Sequence, residues 1–436
     1  MKTNNMNSTN PGRILPSRAN WMNRFAGTAA LMMLLVTAVQ ARTWTSMDGS
    51  KTFEGDLRSY DPATGAVGVT QPNGTVMKFN QDKLSAADIA FLKEQGRMDE
   101  PSANNSAAGK IDSDPKNLFK KPDGKPADMT KPVQVFILLG QSNMVGMGKI
   151  TGGEGSLENA VKTKNKYPYM IDDAGNWSER KDVRFVRYMS GKGPLNNEWM
   201  TIKGGTIGPE FGIGHVVGNA VEAPVMILKC CIGNRSLGWD LLPPGSGRYE
   251  EGGKVYAGYK DSPDSWTKGT EPKPIGWYAG KQYDDDTADA KKALAELDTH
   301  YPGATKYEVA GFFLWQGEKD CGNPVHASHY EQNLVAFIKA LRKDFNAPNA
   351  KFVLATLGEA TKGIGGTEGM VLDAQLAADG TSGKHPEFKG NVATVFSNPL
   401  SLGGSGNGHY GGNAETYMNV GEAMGKAMAE LLTNPK

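Results

Sequence analysis

Apolar residues along this chain follow two different rhythms. Between residues 42 and 98 they alternate with polar ones in short runs broken by turn residues. Beyond residue 132 they gather into continuous runs separated by stretches of helical period. The runs beginning at Val133, Pro224, Val309, Lys351 and Val392 end at Leu139, Leu228, Trp315, Thr356 and Phe396. Each is too short for a helix, and such runs read as strands buried on both faces. Helical patterns fall between them over 210–221, 285–300 and 328–345. The second carries Ala290, Ala293, Leu294 and Leu297 at helical spacing and is closed by Pro302-Gly303; the third places Leu334, Phe337, Ile338 and Leu341 on one face. Strands alternating with helices predict a parallel sheet with right-handed crossovers, hence a three-layer α/β/α domain with five parallel strands. In the first region, short strands over 42–46, 52–60, 66–71 and 75–79 are separated by Asp48-Gly49, Asp61-Pro62 and Asn73-Gly74. Ser85 then caps a helix over 86–95.

The flanks add organisation. Ala26 to Val39 is apolar and uncharged, follows Arg18 and Arg24, and precedes small residues ending at Ala41. That is the pattern of a signal peptide over 1–41, cleaved after Ala41, and it predicts a secreted or periplasmic protein. An uncleaved anchor is the alternative. From 99 to 131 the chain turns to Pro, Ser, Asn, Asp, Lys and Gly, a flexible linker between a small domain over 42–98 and the main domain over 132–436. Lys and Arg number 48 against 47 Asp and Glu. That balance leaves no basic footprint for nucleic acid. The spacing of the three cysteines, Cys230, Cys231 and Cys321, matches no zinc pattern, and no metal or cofactor is expected. In an oxidising compartment, a bridge from one of the vicinal pair to Cys321 and three buried thiols are the two outcomes.

Chemistry-bearing residues collect where the strands end. The first strand runs into Gly140-Gln141-Ser142-Asn143, a serine either on a tight turn with free N–H groups or simply capping a helix. Ile207-Gly208-Pro209-Glu210 opens a helix. The next strand ends in Lys229-Cys230-Cys231 and Gly233-Asn234-Arg235-Ser236, leading into a Gly- and Pro-rich insertion that reaches Tyr283. Trp315 is followed by Gln316-Gly317-Glu318-Lys319-Asp320, and a glycine-rich loop from Gly403 leads to His409. Parallel strands bring all of these loops to one rim. Of the six histidines, His215 sits in a helix on an apolar background. His300, His326, His329 and His385 have helix-end or connecting-loop positions, and His409 stands apart from them.

Gly-Gln-Ser-Asn-Met, Ile-Gly-Pro-Glu, Trp-Gln-Gly-Glu-Lys-Asp and a late histidine, in that order over 132–436, resemble the SGNH hydrolase superfamily. Within it they are similar to the sialate O-acetylesterase and acetylxylan esterase group, carbohydrate esterase family six. The resemblance implies a flavodoxin-like fold and a metal-independent serine esterase acting on an acetylated carbohydrate. It implies Ser142 as nucleophile, His409 as general base, and the N–H groups of Ser142 and Gly208 with the Gln316 amide as oxyanion donors. Many relatives place an aspartate three residues before the histidine, whereas this chain has Gly406. Glu318 or Asp320, with Glu318 preferred, a backbone carbonyl, or a Ser–His dyad remain the options for orienting His409. Gln141, Asn143, Glu210 and Arg235 are the candidate substrate contacts. For Glu210 the helix dipole, and for Arg235 and Lys229 surface ion pairing, are competing explanations. Trp239, Trp266 and Trp277 either stack on sugar rings or pack the insertion. Residues 42–98 resemble a small Sla-type homology domain, an SH3-like β-barrel, which implies a module that binds a peptide or surface component, or a spacer. A GDSL-type lipase or thioesterase and an inactive carbohydrate-binding protein are the alternative functions; oligomeric state is not encoded in these patterns.

Overall fold

A computed structural model describes residues 42–61, 65–73, 75–99 and 109–433. The expected signal peptide and its cleavage point lie outside the described residues. The chain divides into two compact units, 1–99 and 100–436.

In the first unit, β1 (Arg42–Thr45), β2 (Thr52–Asp61), β3 (Ala66–Thr70) and β4 (Val76–Asn80) form an antiparallel meander in sequence order, followed by α1 (Ala86–Asp99). Among the described residues β1 and β4 share no ladder, but just beyond them Ser46 forms an antiparallel bridge with Leu84, and Ser85 N donates to Thr45 O at 2.8 Å. The alternation of the strands buries Val67 and Val69 with Trp44, Leu84 and Leu92 in a separate core. Ser85 caps α1 as expected, its Oγ accepting from Asp88 N at 3.2 Å, and the Asp88 carboxylate accepts from Thr45 N at 2.8 Å.

The second unit is built on one sheet. Its strands are β5 (Val133–Gly140), β6 (Arg180–Tyr188), β7 (Pro194–Met200), β8 (Val225–Cys230), β9 (Tyr307–Trp315), β10 (Lys351–Ala355) and β11 (Val392–Val395). They lie in the order β11-β10-β9-β5-β8-β6-β7. All neighbours are parallel except β7, which runs antiparallel to β6. The five expected strands are contiguous, but the sheet has seven. The hairpin β6–β7 escapes the apolar pattern because it carries Arg180, Arg184 and Arg187; Arg184 is buried only because its donors reach His300 O at 2.7 Å and Asn197 Oδ1 at 2.7 Å. Burying guanidinium groups in this way requires such acceptors.

Successive residues of each strand feed opposite cores. Phe136, Leu138, Phe313 and Trp315 pack under α2 (Glu210–Ala220) and α6 (Ala414–Thr433). Val135, Ile137, Leu139, Phe312 and Leu314 pack under α3 (Lys281–Ala295), α4 (Tyr330–Asp344) and α5 (Gly366–Ala377). The three-layer prediction holds. Residues 109–131, expected to be a flexible linker, are instead fastened to this unit. Asp112 N donates to Ala220 O at 2.7 Å, and Asp114 caps the short helix Pro115–Leu118, which buries Leu118 in the α2 core. One leucine behind a capped turn was too short a pattern to register against its polar surroundings.

From β5 the chain moves toward β6 and β8, and from β9 it moves the other way to β10 and β11. The sheet order therefore reverses between β5 and β9, the place where open α/β sheets form a crevice at their C-terminal edge.

Candidate active site

The loops leaving β5 and β9 wall the crevice. Trp315 and Gly140 are paired across the two strands, and Gln141 N donates to Trp315 O at 3.1 Å. Gly140 has φ +144°, and a Cβ there would stand 2.3 Å from Trp315 O; only glycine lets the chain turn this close to its neighbour. The turn delivers Ser142 to the start of the four-residue helix Ser142–Val145. Ser142 is half-buried, and neither its hydroxyl nor its N–H has a hydrogen-bond partner among the described residues. Gly233, from the loop after β8, backs onto it: a Cβ at 233 would lie 3.5 Å from Ser142 Cβ.

The residues beside Ser142 point elsewhere. Gln141 and Asn143 are buried, and their side-chain amides both donate to the Glu318 carboxylate. Expected as substrate contacts, they instead clamp Glu318 beneath the serine turn, because two buried amides need an acceptor and Glu318 supplies both oxygens. Burial, and next the charge of Glu359, push the Glu318 carboxyl up to about 8 despite those two donors.

Glu210, also expected to meet substrate, is buried behind the turn. It accepts from Gly208 N at 3.1 Å and from Lys229 Nζ at 2.6 Å. Lys229, itself fully buried, also donates to Met144 O at 3.0 Å and Val145 O at 2.9 Å. The pair thus staples the end of the serine helix to the Gly208 loop. The Gly208 N–H, expected as an oxyanion donor, is engaged by Glu210.

Gln316 is likewise spoken for. Its Nε2 donates to Asp320 Oδ2 at 2.5 Å and Arg235 O at 2.9 Å, and its Oε1 accepts from Tyr330 Oη at 2.7 Å. Asp320, fully buried, also accepts from Leu237 N at 2.9 Å and Gly238 N at 2.8 Å. Both of its oxygens hold the loop after β8.

His409 lies on the loop after β11. Its N–H donates to Gly406 O at 2.8 Å, and its imidazole, half-buried, has no hydrogen-bond partner among the described residues. The next residue, Tyr410, is buried and stacks on Trp315 with ring centroids 5.8 Å apart. Since Trp315 pairs with Gly140, this stack holds the histidine loop over the edge that carries Ser142. No hydrogen bond joins Ser142 to His409. Glu359, at the end of β10, was not singled out in the sequence; its Oε2 accepts from Gly406 N at 2.9 Å. The departure at 406 was the available signal, but its partner is distant in the chain and only the fold reveals it.

Arg235 stands at the mouth of the site. Its Nε donates to Gln282 Oε1 at 3.0 Å and its guanidinium lies 4.7 Å from the Trp277 ring centroid, while Nη2 makes no hydrogen bond among the described residues. Trp239 and Trp266 pack the insertion around Leu242, Ala257 and Ala279. His326 secures that insertion through Asp264 Oδ1 at 3.1 Å. The three cysteines are free thiols. Consecutive strand residues face opposite ways, so Cys231 joins the α2 core while Cys230 joins the other with Cys321 beside it. No bridge forms, and burial pushes the Cys231 and Cys321 thiols up to about 12. Among the described residues no group of side chains could hold a metal ion.

An α/β sheet with a loop-walled crevice at its switch point, and an unpaired serine at the start of a helix beside it, places this protein in a broad structural class. Within that class, the chain belongs to the carbohydrate esterase, sialic acid-specific acetylesterase family, whose family model matches residues 132–430. Similar solved structures include a protein from Arabidopsis thaliana, 18% identical with a TM-score of 0.41, covering 68% of this chain and 98% of that one. Another is XAC1771, a carbohydrate acetylesterase from Xanthomonas citri, 11% identical with a TM-score of 0.35, covering 88% and 67%. NanS is 15% identical with a TM-score of 0.34, covering 64% and 78%. Comparison with curated proteins gave no match.

Proposed function

We propose that this protein is a serine esterase that removes O-acetyl groups from a carbohydrate through an acyl-enzyme on Ser142, with His409 as general base. The observation that carries the proposal is the position of Ser142. Its hydroxyl and N–H are free of protein partners, at the sheet's switch point, under the loop that bears His409. In this reading His409 takes the Ser142 proton as Oγ attacks the acetyl carbonyl, then returns it to the departing sugar hydroxyl. Water repeats the sequence on the acetyl-serine and releases acetate. The Ser142 N–H is the free donor for the developing oxyanion, and a single such donor is commonly worth about 2.7–4 kcal/mol. The Gly208 N–H and the Gln316 amide join it only by exchanging their present carboxylate partners. Arg235 supplies an unpaired donor at the mouth for sugar hydroxyls or an acidic group.

The apolar segment from Ala26 to Val39 supports action outside the cytoplasm, and the first unit, with its own core, suits a binding module. A sugar-binding protein without turnover is the second reading, favoured by the lack of a hydrogen bond between Ser142 and His409. Hydrolysis of p-nitrophenyl acetate by wild type and Ser142→Ala separates the two readings. The esterase reading expects a fall of at least about a thousandfold in kcat. Equal rates would leave only the binding reading. Acetate release from a panel of acetylated glycans then identifies the sugar.

A further inference from the structure

We infer that Glu359 is a positioning residue for His409, holding the histidine loop over the serine turn through the N–H of Gly406. The inference rests on the esterase reading above. Glu359 Oε2 accepts from Gly406 N at 2.9 Å, and Gly406 O in turn accepts from His409 N at 2.8 Å. One residue, Gly406, therefore links the carboxylate's grip to the backbone N–H of the histidine. Close by, Glu318 is gripped by Gln141 and Asn143, the two neighbours of Ser142.

The two carboxylates meet above Gly406. A Cβ at that position would lie 2.3 Å from Glu318 Oε1, 2.6 Å from Glu359 Oε2 and 3.0 Å from Tyr410 Oη. Gly406 is not among the residues with positive φ, so its backbone would accept any residue and the space alone demands glycine. The volume that a side chain at 406 would fill is occupied by carboxylates arriving from the ends of β9 and β10. Among the described residues neither Glu318 nor Glu359 has an ion-pair partner, and the Glu359 side chain makes no other hydrogen bond. A carboxylate left without a cation at the rim of a crevice, its one bond spent on the loop of the candidate base, is placed to act through that loop.

The experiment is a double-mutant cycle on p-nitrophenyl acetate hydrolysis, with Ser142→Ala as the control for the esterase reading itself. If Ser142→Ala turns over like wild type, that reading fails, and this one with it. If wild-type activity depends on Ser142, Glu359→Ala is expected to lower kcat at least about tenfold with KM changed less than about twofold. In a His409→Ala background the same substitution is expected to leave the residual rate unchanged, because a group acting through His409 has nothing left to act on. Glu359→Gln, which keeps an acceptor for Gly406 N–H, is expected to lose less than Glu359→Ala and guards against an alanine variant that does not fold. Gly406→Ala, whose methyl group displaces the same oxygens, is expected to lower kcat as Glu359→Ala does. With Ser142 dependence established, the inference is overturned by wild-type kcat in Glu359→Ala, or by an equal loss with and without His409.

Discussion

Glu318 illustrates how position alters the chemistry of a single side chain. Two amides that flank Ser142 converge on it, a second carboxylate lies close, and burial outweighs the amides, pushing its pKa from an ordinary 4.5 to about 8. Folding then takes up a proton between those two values. The contribution of this group to stability is present below about 4.5 and is lost as pH rises through about 8. Glu318→Gln, which has no proton to lose, should flatten that slope. Its thermal midpoint should fall less than that of wild type from about pH 5 to about pH 8; parallel midpoints would show that Glu318 is an ordinary carboxylate. Gln316 and Asp320 carry the opposite lesson. They sit in a motif whose resemblance points to oxyanion stabilisation and histidine orientation, yet their polar atoms are committed to Arg235, Leu237, Gly238 and Tyr330. Residue type and spacing specify which groups gather at a rim; they do not specify which of them remain unpaired.

The serine turn is held from behind by the Lys229–Glu210 pair, which links the end of β8, the start of α2 and the carbonyls of Met144 and Val145. Removing one partner of a buried ion pair strands the other. Lys229→Met should therefore cost about 3–5 kcal/mol of unfolding free energy by urea titration. A loss below about 1 kcal/mol would mean that water reaches Glu210 and compensates. The pair was legible only as two charged residues near strand and helix ends, since nothing in their spacing of 19 positions reveals contact. Strands buried on both faces were far easier to read. β5, β8, β9, β10 and β11 appear as apolar runs because helices cover both sides of the sheet, whereas β6 and β7 at the edge mix arginines with apolar residues and lose the signal. The three short strands Tyr249–Glu251, Lys254–Tyr256 and Ser265–Thr267 within the insertion were hidden by their length and polarity. Helix boundaries shifted by a few residues: the helix expected over 285–300 begins at Lys281 and is interrupted at Glu296.

Two hydrophobic cores line the large sheet, and a third, built on Trp44, Val67, Val69, Leu84 and Leu92, belongs to the first unit alone. Since the first unit has a core of its own, deletion of residues 42–98 should leave kcat for p-nitrophenyl acetate within about twofold of the full chain. A loss beyond about tenfold would make the first unit part of the active machinery. What unites the second unit is the crevice between β5 and β9, with Ser142 on the loop after β5. The central claim is that Ser142 there becomes acetylated. Wild-type protein mixed with p-nitrophenyl acetate and quenched with acid during turnover, then digested and analysed by mass spectrometry, tests it directly. The account predicts an acetyl group on Ser142 that accumulates in His409→Ala and is absent from Ser142→Ala. Undiminished turnover in Ser142→Ala, or acetyl found only on other side chains, would contradict it.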